Sequence, residues 1–170
     1  MIKAIFSGGK VKSTSEDAFS LCEKSRFGER VKDKIEYSLV ESIFLVSESK
    51  MEVYLNSKLI SETNLLKKFR KIDKKIEIKS AVFSDLRKKG YIVKTALKFG
   101  AEFRVYDRGV RPGDDHAKWI LYTTSESDNF DWHDFSAKNR VAHSTKKKLL
   151  IAIVDDESDV LYYEVSWVKA

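Results

Sequence analysis

Three side chains in the second half of the sequence, Tyr106, His116 and Lys147, are of types that could act together on a phosphate ester. Residues 100–124 are predicted to form a strand, an exposed turn and a second strand, with Tyr106 ending the first and His116 opening the second. Because a hairpin brings its two ends together, the phenol and the imidazole could face one cleft. Lys147 stands before an apolar run, and a lysine at the mouth of a buried strand can reach a bound phosphate. These residue types, without an obvious carboxylate pair, suggest phosphoryl chemistry that needs no metal ion.

The same residues also have ordinary structural interpretations, which the pattern alone leaves open. Tyr106 could be a strand aromatic and His116 a surface turn residue. Lys147 lies in a run of three lysines, 146–148, which could be the solvated end of a helix.

Other kinds of catalytic or binding site find little support in the sequence. The Gly-Gly-Lys at 8–10 lacks the spacing of a phosphate-binding P-loop, and GxGxxG is absent. One cysteine, Cys22, and three histidines exclude a disulfide framework and a cysteine-rich zinc site. Asp114, Asp115 and His116 could hold a metal, but an acidic turn is more often simply solvated. We therefore predict neither a resident metal nor a cofactor.

The composition places limits on the class of protein. The chain has 170 residues, of which 42% are hydrophobic, enough for a folded core in one domain or two small ones. Its formal net charge of +6 and its isoelectric point near 9.2 suggest a polyanionic partner. No apolar stretch is long enough to span a membrane, and the first residues lack a hydrophobic signal region. We expect a soluble, cytoplasmic protein.

The first part of the chain has mainly helical patterns and is rich in lysine. Residues 36–46 place apolar side chains on one face at helical spacing, with Glu36 in the first turn. Residues 62–72 show the same spacing, with Thr63 or Asn64 as the capping residue.

A third helix is predicted for residues 80–89, capped by Ser80 and ended by Gly90. Between the first two helices, residues 51–55 favour a short strand that leads to a turn at 56–57.

The pattern changes after Gly90, where β-branched and aromatic residues dominate. A helix packing on the sheet is predicted for 132–147, and a mixed sheet flanked by helices follows from the five predicted strands. We place a boundary near residue 80, which gives an α/β (α+β) fold with a small mixed N-terminal domain, 1–79, and a C-terminal domain, 80–170, with a central mixed sheet flanked by helices. The five strands are predicted at 91–97, 102–106, 117–124, 149–154 and 160–168.

The segments that carry the three chemical residues resemble the archaeal tRNA-intron splicing endonuclease family. The resemblance covers the C-terminal half, through GYIVKTALKFGAEFRVYDRG, then His116, then RVAHSTKKKLLIAIVDDESDVLYYEVSWVK. The family pattern is a tyrosine, a histidine about ten residues later and a lysine before an apolar strand, which here are Tyr106, His116 and Lys147. The N-terminal half matches more loosely, through RFGER and YSLVESIFLV. Two positions depart from the family's usual Ser and Arg: this chain has Ala117 and Lys146, so Lys146 or Lys148 stays an alternative to Lys147.

The resemblance implies a metal-free cleavage of precursor tRNA at a bulge–helix–bulge, leaving a 2′,3′-cyclic phosphate and a 5′-hydroxyl. The nucleophile is the RNA's own 2′-hydroxyl. Tyr106 would act as the general base or orient the hydroxyl, since a phenol with its ordinary pKa of about 10 needs nearby cations to ionise. His116 would protonate the departing 5′-oxygen, and Lys147 would stabilise the charge on the phosphorane.

The resemblance also points to residues that would contact the RNA. Arg140 is the candidate for stacking on a splayed bulge base, with Lys169 as its partner. Arg108 and Arg111 in the turn would touch backbone phosphates, although each could equally be an ordinary turn charge.

Assembly is the last expectation from the resemblance. The acidic run at 155–159 would insert into a positive groove of a neighbouring subunit through Asp155, Asp156, Glu157 and Asp159. The residues of the C-terminal strand independently suggest pairing with another subunit, because the strand would otherwise leave an apolar edge. Either a homotetramer or a heterotetramer with a related chain fits. The basic run at 65–79 could face RNA or be the solvated face of a helix.

Two rival functions stay open at this level. A non-catalytic structural or RNA-binding subunit would be expected to lack Tyr106, His116 and Lys147, which are present. A metal-dependent nuclease would need an acidic pair with a lysine, and Glu102 and Asp107 flank a strand without a following Glu-x-Lys.

Overall fold

A computed structural model describes residues 1–168 of the chain, which divides into two compact units at residues 83 and 84. Each unit combines helices with a sheet that contains both parallel and antiparallel pairs, so the predicted mixed α/β class is confirmed. The sequence-based boundary at residues 79 and 80 falls inside a helix, Ile76–Lys88, which also contains the change of unit. Within the described part of the chain, every helix is too short or too polar to cross a membrane.

The first unit is built on a six-stranded sheet in the order β3-β4-β2-β1-β5-β6. The sheet is mixed because β1 pairs with β5 in parallel, whereas its other pairs are antiparallel. Its elements, in chain order, are β1 Ile2–Ser7, β2 Lys10–Ser13, α1 Glu16–Ser25, β3 Glu29–Val31, β4 Lys34–Tyr37, α2 Leu39–Ser47, β5 Met51–Leu55, β6 Lys58–Leu59 and α3 Glu62–Arg70.

Several N-terminal expectations were wrong. The first part of the chain, for which mainly helical patterns were predicted, contains four strands, β1 to β4, that were not predicted. Glu36 lies in β4 and not in a helical turn, because Ser38 and Glu41 form a reciprocal capping box that starts α2 at Leu39. The cap of α3 is Ser61, whose hydroxyl accepts from the Asn64 amide, so neither Thr63 nor Asn64 caps it.

The helix predicted at 80–89 begins earlier, at Ile76, as α4 (Ile76–Lys88), and Ser80 lies within it. The strand at 51–55 and its turn are confirmed. Asn56 and Ser57 both have positive φ, 49° and 64°, which is the conformation of a tight hairpin turn.

The second unit contains a five-stranded sheet in the order β11-β10-β9-β8-β7. All five predicted strands are confirmed, with small shifts at their ends. The last is shorter than predicted, because it ends at Val165. The elements are β7 Ile92–Ala96, β8 Ala101–Tyr106, β9 Trp119–Ser125, α5 Trp132–Ser144, β10 Lys148–Val154 and β11 Val160–Val165.

Helix α5 packs on this sheet through a small apolar cluster. Ala142 of the helix is buried with Ile120, Tyr122 and Leu149 of the neighbouring strands. Strands β9 and β10 are parallel, so the connection between them has to cross the sheet, and α5 provides that crossing. The crossover returns the chain to the sheet edge where β9 begins, and it delivers the lysine run 146–148 there.

Candidate active site

The site is organised by one residue, Lys118, that links three neighbouring strands. Its amide donates to the carbonyl oxygen of Val105 at 2.9 Å, and its carbonyl accepts from the amide of Lys148 at 3.0 Å. The ladder continues this link, because Trp119 pairs with Val105 on one side and with Lys148 on the other. The C-terminal end of β8 and the N-terminal ends of β9 and β10 therefore lie at the same edge of the sheet.

The three predicted catalytic residues flank this link. Tyr106 follows Val105, His116 lies shortly before Lys118, and Lys147 precedes Lys148. The fold thus brings the three backbone positions to one sheet edge, although they come from a strand end, a loop and a helix-to-strand connection.

Their environments differ. Tyr106 is the last residue of β8, only 4% exposed, and pairs with Ile92 of β7. His116 is exposed in the loop before β9, which begins at Trp119, so it does not open that strand as predicted. Its amide donates to the Asp115 carboxylate at 2.6 Å, which fixes the backbone at the histidine.

The loop that carries His116 is closed at its base by an ion pair. Lys118 donates to the Asp107 carboxylate at 2.8 Å. This hydrogen bond, together with the Arg108 amide that also donates to the carboxylate, lowers the pKa of Asp107. The same hydrogen bond raises the pKa of Lys118, whose ammonium lies 4.4 Å from the centre of the Trp119 ring. The pair holds together the two ends of the loop.

The lysine run begins at the C-terminus of α5, which ends in a Schellman motif. The Lys147 amide donates to the Ala142 carbonyl at 2.8 Å and the Lys146 amide to that of His143 at 3.0 Å. Lys146 has a left-handed backbone with φ +56°, the conformation that this motif requires and that glycine adopts most easily. Lys146 is therefore a turn residue, and Lys147 is the first residue after the turn.

We expect Lys146→Gly to raise the free energy of unfolding of the second unit by about 0.5–1 kcal/mol, because it removes a side chain from a left-handed position. Urea unfolding monitored by far-ultraviolet circular dichroism measures the change. The matched control is Lys148→Gly, which puts the same substitution into β10 and should lower stability. A loss of stability in Lys146→Gly would contradict the turn assignment.

The other two lysines have different partners. Lys148 forms an ion pair with Glu164 of β11, and Glu164 also accepts from the Trp119 indole at 2.7 Å. These two donors lower the pKa of Glu164. Lys147 instead donates to the Thr145 carbonyl at 3.0 Å, with its ammonium 5.8 Å from the Phe99 ring centre. In residues 1–168 it pairs with no carboxylate, so its charge stays available to a ligand.

A small cavity of about 200 Å³ lies beside Lys147. It is smaller than the pockets that enclose whole small-molecule ligands, so it suits one group of a larger ligand. His143 contacts Trp167 edge to face, with the ring centres 4.3 Å apart. The sequence analysis did not identify His143 and Asn139 as residues of this site. Their i, i+4 spacing places them on one face of the helix that leads to the lysine run, and this spacing was the available signal. The lining residues are Asn139, His143, Lys147, Lys148, Val165, Ser166 and Trp167.

The predicted RNA-contacting arginines are all exposed. Arg140 lies on α5 and donates to the Ser136 carbonyl at 3.4 Å. The Arg108 guanidinium lies 5.0 Å from the centre of the Tyr91 ring, and the Arg111 carbonyl accepts from the Asp114 amide. Lys169, the predicted partner of Arg140, lies outside the described residues.

The acidic run forms the turn between β10 and β11, where Val154 pairs with Val160. The Asp155 carboxylate accepts from the amides of Glu157 at 3.0 Å and Asp159 at 2.8 Å, so the turn is held internally. Three of its four acidic side chains, those of Asp156, Glu157 and Asp159, are exposed.

The final strand, β11, forms the edge of the sheet beside this turn. It exposes two large side chains, Leu161 at 57% and Tyr163 at 54%.

The acidic residues considered for a metal are arranged differently from the sequence-based candidates. Among the described residues, the metal-type side chains that come together are Asp131, His133 and Asp134, whose ligand atoms lie within 4.8 Å of one another. All three are exposed at the N-terminus of α5, where Asp131 caps the helix.

Both acids of the rival nuclease pattern have hydrogen-bond partners within the protein. Glu102 accepts from the Thr123 amide at 3.3 Å, and Asp107 is bound to Lys118.

Comparison with known proteins matches both units to one family. A family model for the tRNA intron endonuclease catalytic C-terminal domain matches residues 76–162, and one for the N-terminal domain matches 2–66. A tRNA-splicing endonuclease of Thermococcus onnurineus is 41% identical over 96% of this chain and 94% of its own. One of Nanoarchaeum equitans is 45% identical over 84% of this chain and 96% of its own. One of Methanothermobacter thermautotrophicus is 38% identical over 94% and 92%, respectively.

Proposed function

The chain belongs to the tRNA intron endonuclease family, and on that premise we propose that it is an endonuclease that removes introns from precursor tRNA. The relatives are named tRNA-splicing endonucleases, and the match to the catalytic domain includes Tyr106, His116 and Lys147. One structural observation carries the proposal. The strand ends that adjoin these three residues lie together at one edge of the sheet, where the backbone hydrogen bonds of Lys118 join them.

The reaction is a transesterification within the RNA followed by departure of the downstream strand. The 2′-oxygen forms a bond to the adjacent phosphorus, and the bond from phosphorus to the 5′-oxygen breaks. The proton of the 2′-hydroxyl is removed and a proton is added to the 5′-oxygen, so a 2′,3′-cyclic phosphate and a 5′-hydroxyl result. Because the nucleophile belongs to the RNA, a strand without the 2′-hydroxyl at this position is not cut.

Tyr106, His116 and Lys147 divide this work. Tyr106 accepts the proton of the 2′-hydroxyl or orients that hydroxyl for in-line attack. His116 is exposed on a loop with a fixed base, so its imidazole can reach the leaving oxygen and give it a proton. Lys147 stabilises the added negative charge on the phosphorane.

The contrast among the lysines supports the choice of Lys147. Lys146 occupies the left-handed turn position, and Lys148 is neutralised by Glu164. Lys147 lines the cavity with an ammonium group that no described carboxylate pairs with, which is what a group that meets a dianionic phosphorane requires.

The substrate feature is a bulge–helix–bulge, whose splayed nucleotides allow in-line attack. Arg140 stacks on a bulge base, with Lys169 as the second cation of the clamp, and Arg108 and Arg111 contact backbone phosphates. All three arginines are exposed, as this role requires.

The enzyme acts in the cytoplasm as a homotetramer, or as a heterotetramer with a related chain. The acidic turn inserts into a basic groove of a neighbour, and β11 pairs with another subunit. Two features of the chain support these contacts. The acidic turn is held by hydrogen bonds to the Asp155 carboxylate, and β11 is an edge strand of its sheet. The mass of the chain in solution tests the assembly, and a monomeric mass would contradict it.

The function is tested by incubating the chain with a minimal bulge–helix–bulge RNA in EDTA and analysing the product ends. We expect two cuts with 2′,3′-cyclic phosphate and 5′-hydroxyl ends. A matched RNA with 2′-deoxynucleotides at the two cleavage positions should stay intact.

Cleavage that depends on added magnesium would contradict the mechanism. Absence of cleavage under every condition would favour the alternative, a non-catalytic structural or RNA-binding subunit of such an endonuclease.

A further inference from the structure

The first unit carries a groove of about 490 Å³ between the β5–β6 hairpin and helix α3. We name it the α3 groove. The hairpin turn that forms one wall is fixed by Asn56 and Ser57, both in the left-handed conformation. The groove is lined by Leu55, Asn56, Lys58, Leu59, Ile60, Asn64, Lys67, Lys68 and Lys71.

The charged side chains that line the α3 groove are all lysines. Lys58, Lys67, Lys68 and Lys71 are exposed, and within residues 1–168 none of the four forms an ion pair. The acids of the neighbouring segment are used elsewhere. Asp73 pairs with Lys79 at 2.7 Å, and Glu77 pairs with Arg70. Three lysines of the basic run, Lys67, Lys68 and Lys71, therefore bring charge to the groove that none of these acids compensates.

Helix stability explains only part of this charge. Lys67 and Lys68 lie in the last turn of α3, where cations interact favourably with the helix dipole. Lys58 belongs to the hairpin, and Lys71 follows the helix. Like charges repel, and Lys58 and Lys71 bring positive charge to the groove for which the helix dipole does not account. An anionic ligand would remove that repulsion.

We propose that the α3 groove binds the sugar–phosphate backbone of the precursor RNA, an inference that rests on the proposed function for the identity of the substrate. The groove supplies separated ammonium groups, which interact with phosphates as point charges. The side-chain amides of Asn56 and Asn64 add donors and acceptors for phosphate oxygens and 2′-hydroxyls.

An acidic protein segment is the competing occupant, and the lining favours RNA over it. The cations of the groove are lysines only. Arginine binds carboxylates and phosphates alike in a bidentate fork, whereas lysine binds the closely spaced phosphates of a nucleic-acid backbone as a point charge. The elements that form the groove contribute none of Tyr106, His116 and Lys147. The groove therefore acts on RNA affinity and not on the chemical step.

The test compares two triple variants of the full chain that remove the same charge. The groove variant is Lys58→Ala, Lys67→Ala and Lys71→Ala. The control is Lys24→Ala, Lys50→Ala and Lys74→Ala, three exposed lysines outside the groove. With an intron-containing precursor tRNA, we expect the groove variant to raise KM by about tenfold and leave kcat unchanged. For the groove variant, the slope of log KM against log salt concentration should fall by about two to three, since each lost phosphate contact contributes about 0.7–0.9 to that slope.

The control variant should change KM and the salt dependence much less. Equal effects of the two variants, or an unchanged KM and salt dependence in the groove variant, would overturn the proposal. A changed mass in solution with an unchanged salt dependence would also overturn it, in favour of an acidic protein segment.

If the alanine variant does not fold, as judged by circular dichroism, Lys58→Gln, Lys67→Gln and Lys71→Gln replace it. The minimal-RNA assay in EDTA with the unaltered chain reports separately on the proposed function, because its outcome does not depend on any groove variant.

Discussion

His116→Ala is expected to lower the rate constant of RNA cleavage by about 10²–10⁴-fold, the usual contribution of a positioned general acid. The 5′-oxygen is a poor leaving group without a proton, and His116 is the imidazole on the loop beside the strand ends of Tyr106 and Lys147. Single-turnover kinetics with a minimal bulge–helix–bulge RNA measure the chemical step directly. Affinity for the matched 2′-deoxy RNA, which is not cut, should stay close to that of the unaltered chain.

His133→Ala provides the matched control. His133 is also exposed, and it lies at the N-terminus of α5 and not on the loop that carries His116. Its replacement should leave the rate constant within about twofold. Full activity of His116→Ala, or equal losses in the two variants, would remove His116 from the mechanism.

The strand–loop–strand segment that carries Tyr106 and His116 was predictable because its signals are local. Alternating apolar residues mark β8, a continuous run of apolar and β-branched residues marks β9, and the Pro112-Gly113 pair interrupts the pattern between them. The exact start of β9 was not predictable. Ala117 and Lys118, just before β9, are of types that are less common in strands, so residue type does not fix where β9 begins. The hydrogen bonds of Lys118 to two neighbouring strands bring the chain into the ladder there.

The strands of the first unit that the sequence did not predict lack such local signals. Strands β2 (Lys10–Ser13) and β3 (Glu29–Val31) are short and charged, so they carry little periodic signal. Their stability comes from pairing within the sheet, and β1 is held in parallel by β5, far along the chain. A short strand whose partner is distant in sequence is decided by tertiary contacts and not by local preference.

The lysine assignment shows the same limit at the site itself. The run 146–148 presents three equal residues, and the sequence alone left Lys146 and Lys148 as alternatives. They become different only through the helix-ending turn at Lys146 and the β10–β11 register, which sets Lys148 near Glu164. The choice among the three therefore depends on a helix end and on a cross-strand ion pair.

Lys147→Ala is expected to lower the rate constant of cleavage by about 10²–10³-fold, the cost of losing one preorganised donor to a transition-state charge. Lys147 lines the cavity with an ammonium that no described carboxylate neutralises. Its loss should affect kcat far more than KM, because the extra phosphorane charge exists only in the transition state. Multiple-turnover kinetics with the minimal RNA separate the two constants.

Lys148→Ala is the discriminating companion, since it removes the same charge one residue later. Lys148 is bound to Glu164, so its truncation leaves that carboxylate with the Trp119 indole as its remaining donor among the described residues. The pair is partly exposed, and its loss should cost stability by at most about 1 kcal/mol, with a change in rate below about tenfold. If Lys148→Ala lowered kcat as much as Lys147→Ala, the assignment of the catalytic charge to Lys147 alone would be wrong. If neither variant lowered kcat, stabilisation of the phosphorane would have to come from outside the lysine run.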